Sequence, residues 1–214
     1  SGGLDTFCVA SALTFIMNEE ERQVLRGSLR HARRNLNPDQ QSEAAQCLHD
    51  LVIGQDFFVD ASHIAFYKSI DGEIDLELLL SKALAEGKSC YLPIMSTENV
   101  DQMFFAPYDK NTVLTQNQWG IGEPPAPDEL ILPTSFDVVF VPLVGFNTNC
   151  FRLGMGKGFY DRTFSFKISN RHSRPLLVGL AHECQLTETF PVASWDVRLD
   201  AVITAEKIYR PDTA

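Results

Sequence analysis

The sequence predicts an α/β fold: a single three-layer α/β/α domain around a central, mainly parallel sheet. Three observations carry this. Strand-length apolar runs alternate with segments of helical period, the order of a parallel sheet with right-handed crossovers. One run, DVVFVPLVGF at 137–146, is almost unbroken in apolar character, as expected of a central strand covered on both faces. The chain has 214 residues, 44% of them hydrophobic, enough for one sizeable core near the upper end of single-domain size.

The elements follow in order. A helix is expected from about Glu19 to Leu36, with Asn18 as N-cap and Glu21 as its capping-box partner. Leu25, Leu29, Ala32 and Leu36 form its apolar stripe. Arg22, Arg26, Arg30 and Arg33 lie beside that stripe and form either a solvated face or the lining of an anion pocket. A second helix starts at Asn37-Pro38, with Gln40 reaching back, and runs to Ile53 before Gly54. His63–Ile70 reads as a strand and Asp71-Gly72 as a turn. Asp75 caps a helix carrying Leu76, Leu79, Leu80, Ala83 and Leu84 and closed by Gly87; Ser89–Ile94 is the next strand. Met103–Tyr108 reads as another. Residues 117–133 form a long Gly- and Pro-rich loop that holds Trp119, and loops of that length are often functional. Leu176–Ala181 and Ala201–Thr204 complete the sheet. Residues 1–18 are set apart as an N-terminal segment, tag-like at Ser1-Gly2-Gly3, and 19–214 as the domain.

Composition excludes several classes. With 18 Lys+Arg against 28 Asp+Glu, the formal net charge is −10. That argues against a nucleic-acid coat or a polybasic membrane binder, while leaving room for a local basic pocket. No apolar run is long enough to span a bilayer. The five cysteines are widely spaced with no CxxC pair, so a reduced, cytoplasmic protein is expected rather than a disulfide or zinc scaffold.

The chemistry-bearing motif follows the strongest strand: Arg152-Leu153-Gly154-Met155-Gly156-Lys157-Gly158-Phe159-Tyr160-Asp161. Alternating glycines let backbone N–H groups approach a polyanion, and Arg152 and Lys157 add full charges for phosphate oxygens. Ligands bind at this position in open α/β sheets. Asp161 is a candidate Mg²⁺ carboxylate. Neither a Walker A loop nor a dinucleotide fingerprint fits the spacing.

RLGMGKGFYDRTF resembles the signature of the 5-formyltetrahydrofolate cyclo-ligase family. LRGSLRHARRNLNPDQ, IAFYKSIDGEID, YLPIM, DVVFVPLVGF and PVASWDVRLDAVIT resemble further family segments in the family's order, from about Arg22 to Thr204. The resemblance implies an α/β/α enzyme that uses ATP and Mg²⁺ to convert 5-formyltetrahydrofolate (folinate) into 5,10-methenyltetrahydrofolate, acting on small molecules and as a monomer. It implies a nucleotide site of Arg22, Arg26, Arg152, Leu153, Gly154, Met155, Gly156, Lys157, Gly158, Phe159 and Tyr160. Arg152, Lys157 and Tyr160 would be catalytic. The family carries glycine or lysine at the Lys157 position, so Arg152 is the firmer assignment. Asp161 and Asp200 would be the magnesium-side carboxylates, with Asp196 the alternative to Asp200. Glu73 would accept hydrogen bonds from the pterin, and Phe66, Tyr67, Trp119 and Tyr160 would pack its rings. Competing readings are another ATP-dependent enzyme, such as a kinase, and a non-catalytic nucleotide or folate sensor.

Overall fold

The computed structural model describes residues 17–95, 103–188 and 190–212. Most of the N-terminal segment, residues 1–16, lies outside the described residues.

Two capping boxes start the two longest helices among the described residues. In α1 (Glu19–Arg34) Asn18 accepts from the Glu21 N–H while the Glu21 side chain accepts from the Asn18 N–H. Asn37 and Gln40 do the same for α2 (Pro38–Ile53). Each box satisfies helix-end donors that would otherwise lack partners. A short helix, α3 (Asp56–Val59), leads to strand β1 (His63–Ala65). Helix α4 (Glu77–Ala85) crosses to β2 (Ser89–Met95), which lies parallel to β1. Strand β3 (Met103–Tyr108) returns antiparallel. The long loop then folds a small ribbon of β4 (Thr115–Gln116) and β5 (Gly122–Glu123). After β6 (Val138–Val141) a second ribbon pairs β7 (Gly145–Phe146) with β8 (Arg152–Leu153). Short helices α5 (Phe159–Thr163) and α6 (Phe166–Ser169) lead to β9 (Leu176–Leu180), β10 (Ala201–Ile203) and a closing antiparallel strand β11 (Ile208–Tyr209).

The main sheet has the order β11-β10-β9-β6-β1-β2-β3. Its five inner strands are parallel and both edges are antiparallel. Alternation along β6 divides the core. Val138 and Phe140 pack with α2 and α4 residues such as Leu48, Val52 and Leu79. Val139 and Val141 pack with Phe159 and Phe164 of the α5–α6 side. All four β6 residues are buried, so an unbroken apolar run is what this position requires.

Two expected strands are shorter than read. The 63–70 strand stops at Ala65. One further bond runs from the Phe66 N–H to the Tyr91 carbonyl, and the chain then closes a local turn in which the Glu73 N–H donates to the Ile70 carbonyl. The 137–146 strand pairs in the sheet only to Val141. Pro142 follows, with no N–H for the ladder. The remaining apolar residues stay buried in the β7 ribbon, so burial persists where sheet pairing does not.

Candidate active site

Topology sets the site. From the β1–β6 pair the chain order runs outward to β2 and β3 on one side and to β9, β10 and β11 on the other. Strands β1 and β6 therefore flank a topological switch point, where crevices open beyond the carboxyl ends of parallel strands. The segment after β1 (66–73) and the segment after β6 (142–158) meet there.

Arg33 of α1 joins the two. Its Nε donates to the Asp71 carbonyl at 2.9 Å, its Nη1 to the Leu143 carbonyl at 3.1 Å and its Nη2 to Asp71 Oδ2 at 2.9 Å. Asp71 also takes Arg30 at 2.7 Å and pairs with Arg34. The turn needs left-handed backbone at Asp71 (φ 57) and Gly72 (φ 75); asparagine, aspartate and glycine tolerate this conformation best. The next residue, Glu73, is 8% exposed and places Oε1 3.7 Å from Arg33 Nη2. Burial pushes its carboxyl up to about 7, against the opposing pull of the Arg33 guanidinium.

Tyr67 lies beside Glu73 and Tyr160, and burial raises both phenols above their usual range. The Tyr67 hydroxyl is buried without a hydrogen-bond partner. Buried polar atoms in native proteins nearly always have one, so this hydroxyl marks a place for a polar ligand group or a water. The other such side-chain atom among the described residues is Nε2 of His182, on the loop after β9. Burial, reinforced by the Arg33 charge, lowers the His182 pKa to about 4 and keeps the ring neutral.

The glycine loop forms the other wall. The β7–β8 ribbon delivers Arg152, whose Nη2 lies 2.9 Å from Asp161 Oδ2 and whose guanidinium stands 5.7 Å over the Tyr160 ring. Gly156 (φ 92) and Gly158 (φ 66) take left-handed backbone. A Cβ at Gly158 would meet Arg162 at 2.8 Å, so this turn accepts a side chain poorly. Arg26 Nε donates to the Gly154 carbonyl at 3.0 Å while its Nη1 pairs with Glu19 at 2.7 Å. Arg22 Nη2 donates to the Pro191 carbonyl at 2.6 Å. Lys157 and Met155 are exposed on the loop. Trp119 meets Phe159 edge-on at 6.2 Å, which brings the long loop onto the start of α5.

The arginine stripe of α1 is thus not a solvated face. Arg22 reaches the Pro191 carbonyl, Arg26 the Gly154 carbonyl, and Arg30 and Arg33 both reach Asp71. Of the residues expected in the site, Arg22, Arg26, Arg152 to Tyr160, Asp161, Tyr67, Glu73 and Trp119 surround the crevice or the glycine loop beside it.

Two expectations are overturned. Phe66 has no exposed surface and packs against Phe140 in the α2–α4 half of the core, at 5.2 Å between ring centroids. It is a core residue, with no face for a folate ring. Asp200 sits at the amino edge of β10, away from the crevice; its Oδ2 accepts from the Leu177 N–H at 2.7 Å and pairs with Lys167 at 3.0 Å. Asp196, the alternative, accepts from the Ala193 N–H at 2.8 Å and fixes a local turn. Asp161 spends Oδ2 on Arg152 and Oδ1 on the Val197 N–H at 3.1 Å. Among the described residues no group of three His, Cys, Asp or Glu side chains is placed to hold a metal. Asp161 already carries two partners, so a magnesium ion beside it would take most of its ligands from phosphate and water.

The bridging role of Arg33, the Asp71 hub and the unpartnered His182 were missed in the sequence. The partners of Arg33 and Asp71 are tens of residues distant or more in the chain, and no spacing rule reports them or the burial of His182.

Fold and site together define an α/β protein with a cation-lined crevice at its sheet's switch point, one wall a glycine loop and the other a buried carboxyl. A model of the 5-formyltetrahydrofolate cyclo-ligase family matches residues 18–205, and the chain belongs to that family. It is an enzyme, a ligase. The 5-formyltetrahydrofolate cyclo-ligases of Escherichia coli K12 and Haemophilus influenzae are each 37% identical to it, over 85% and 86% of this chain and 98% and 97% of theirs. The 5,10-methenyltetrahydrofolate synthetase of Aquifex aeolicus superposes with a TM-score of 0.75 at 28% identity, covering 90% of this chain and 94% of that one. Among the described residues no helix is long and apolar enough to cross a membrane.

Proposed function

We propose that the chain catalyses the ATP- and Mg²⁺-dependent cyclisation of 5-formyltetrahydrofolate to 5,10-methenyltetrahydrofolate, with release of ADP and phosphate. The observation that carries this reading is the meeting, at one switch point, of the 154–158 glycine loop and the buried Glu73. One wall suits a polyphosphate and the other a heterocycle rich in N–H donors.

A formyl amide oxygen is a poor leaving group. In this reading it is phosphorylated by the γ-phosphoryl group of ATP, N10 of the folate attacks the activated carbon, and phosphate departs as the ring closes. The chain's own residues position these groups and spread charge. Arg152, held by Asp161 and lying over Tyr160, faces the transferring phosphoryl group. Lys157, exposed on the loop, adds a second charge. Arg26 fixes the loop through the Gly154 carbonyl. Glu73 accepts from the pterin N–H groups, with Tyr67 and Tyr160 beside it and Trp119 against the aromatic part of the substrate. Magnesium would enter on the nucleotide's phosphates, which with water can supply most of its ligands, and no step is assigned to protein ligation. The reading includes a cytoplasmic, monomeric enzyme with small-molecule partners only.

The test is direct: supply folinate and Mg-ATP and follow the absorbance of the methenyl product. Product formation that needs all three components is expected. Release of ADP that ignores folinate, with no methenyl product, would replace this reading with that of a kinase or another ATP-dependent enzyme.

A further inference from the structure

The loop at 190–197 carries an exposed tryptophan that the proposed chemistry does not use. Trp195 is 69% exposed and Val192 40% exposed. An exposed tryptophan with a second apolar side chain close by in the same loop offers an aromatic surface that a flat ligand group can cover. The loop that holds it is well anchored. Arg22 of α1 grips the Pro191 carbonyl at 2.6 Å, and one helical turn on Arg26 grips the Gly154 carbonyl at 3.0 Å. Residues four apart on a helix lie on one face, roughly 5–6 Å apart at Cβ, so the start of this loop and the glycine loop lie side by side on α1. At the other end of the loop the Val197 N–H donates to Asp161 Oδ1, whose partner oxygen holds Arg152. Between these anchors Asp196 closes a turn with Ala193, in both backbone and side chain, and presents Trp195 outward. Met155 adds exposed apolar surface on the glycine loop itself, at 48%.

An apolar, aromatic surface bordering a phosphate loop matches the chemistry of a nucleotide, in which a flat base is tethered to a polyphosphate. Glu73, Tyr67 and Trp119 belong to the opposite wall or to the α5 side, so the base has a separate place to lie. We propose that Trp195, with Val192 and Met155, is the stacking surface for the purine base of the nucleotide whose phosphates lie on the 154–158 loop. This rests on the nucleotide reading above and adds a base subsite to it.

Trp195→Ala and the conservative Trp195→Phe are the variants, both at an exposed position. Base–aromatic stacking is worth about 1–3 kcal/mol, so W195A should raise the KM for ATP roughly 5- to 150-fold. The folinate KM and the kcat at saturating ATP should stay as in wild type, and W195F should recover most of the loss. ADP should quench tryptophan emission in wild type and much less in W195F. Inorganic tripolyphosphate, which has no base, should inhibit wild type and W195A equally. An unchanged ATP KM in an active W195A enzyme would overturn the subsite and leave the nucleotide reading standing. An equal loss of ADP and tripolyphosphate binding would also overturn it, since Trp195 would then only be supporting the phosphate loop. Failure of the wild-type enzyme to form methenyl product from folinate and Mg-ATP would instead sink the reading on which the subsite rests.

Discussion

Arg33 and Glu73 meet 3.7 Å apart at the switch point, and the arginine side chain has no exposed surface. The buried guanidinium makes three hydrogen bonds, to two carbonyls and to Asp71 Oδ2, and so ties together the wall of the site. Removing one partner of a buried ion pair leaves the other charge uncompensated and typically costs about 3–5 kcal/mol. Arg33→Met should therefore destabilise the protein by about that much in urea titration, while Arg30→Met, removing a half-exposed partner of the same Asp71, should cost about 1 kcal/mol or less. Equal effects of the two substitutions would mean that Arg33 does not hold the turn.

Glu73 carries a carboxyl raised to about 7 because burial penalises its charge. As the acceptor for pterin N–H groups it must be ionised. Folinate KM should rise as pH falls below about 7, and Glu73→Gln should raise it roughly tenfold or more at pH 8 and make it nearly independent of pH. The ATP KM should change much less. A folinate KM in E73Q equal to wild type at pH 8 would remove Glu73 from the folate wall.

The legibility of these features in the sequence follows their range. Capping boxes at Asn18 and Asn37 are contained within four residues and read correctly. The parallel core was legible because full burial leaves an unbroken apolar run at β6. The ends of β1 and β6 were not, because Phe66, Tyr67 and residues 143–146 remain buried after leaving the sheet, and hydropathy reports burial, not pairing. The glycine loop announced itself through local backbone needs at Gly156 and Gly158. Asp200 misled because nearness to a motif-like segment does not say which end of a strand a residue occupies. The arginine stripe could be seen, but its targets, Asp71, Leu143, Gly154 and Pro191, are 38 to 169 residues away in the chain.

Stability should show two opposed pH dependences centred on this wall. His182 is neutral in the fold down to about pH 4, against an ordinary 6.5. Its contribution is present above pH 6.5 and is lost as pH falls toward 4, because the unfolded chain binds the proton first. Glu73 does the reverse. Its raised value, about 7 against 4.5, favours the fold at low pH and loses that contribution as pH rises through 7. Between pH 4.5 and 6.5 the two slopes oppose each other. E73Q should therefore gain a steeper rise of unfolding free energy with pH in that window, by up to about 1.4 kcal/mol per pH unit. Parallel wild-type and E73Q curves in urea titrations at pH 5 and 6 would show that the two groups do not titrate as placed.

Arg152 is expected to act on the rate directly as well as on the fold. Its guanidinium is 6% exposed, pairs with Asp161 at 2.9 Å and lies over the Tyr160 ring. Preorganised charge aimed at a transferring phosphoryl group is typically worth about 10²–10³ in kcat, while removing the arginine from its largely buried pair with Asp161 costs the fold up to about 3–5 kcal/mol. Arg152→Ala should lower kcat on folinate by about 10²-fold or more, measured at a temperature and urea concentration where the variant is shown to be folded. Arg152→Lys should recover only part of the rate, since an ammonium keeps the charge but loses the planar fork. Asp161→Asn leaves the arginine in place with a weaker anchor, so its rate should fall between wild type and R152A and should not respond to added Mg²⁺. Rescue of D161N by excess Mg²⁺ would return Asp161 to metal binding, and wild-type turnover in R152A would remove Arg152 from the reaction.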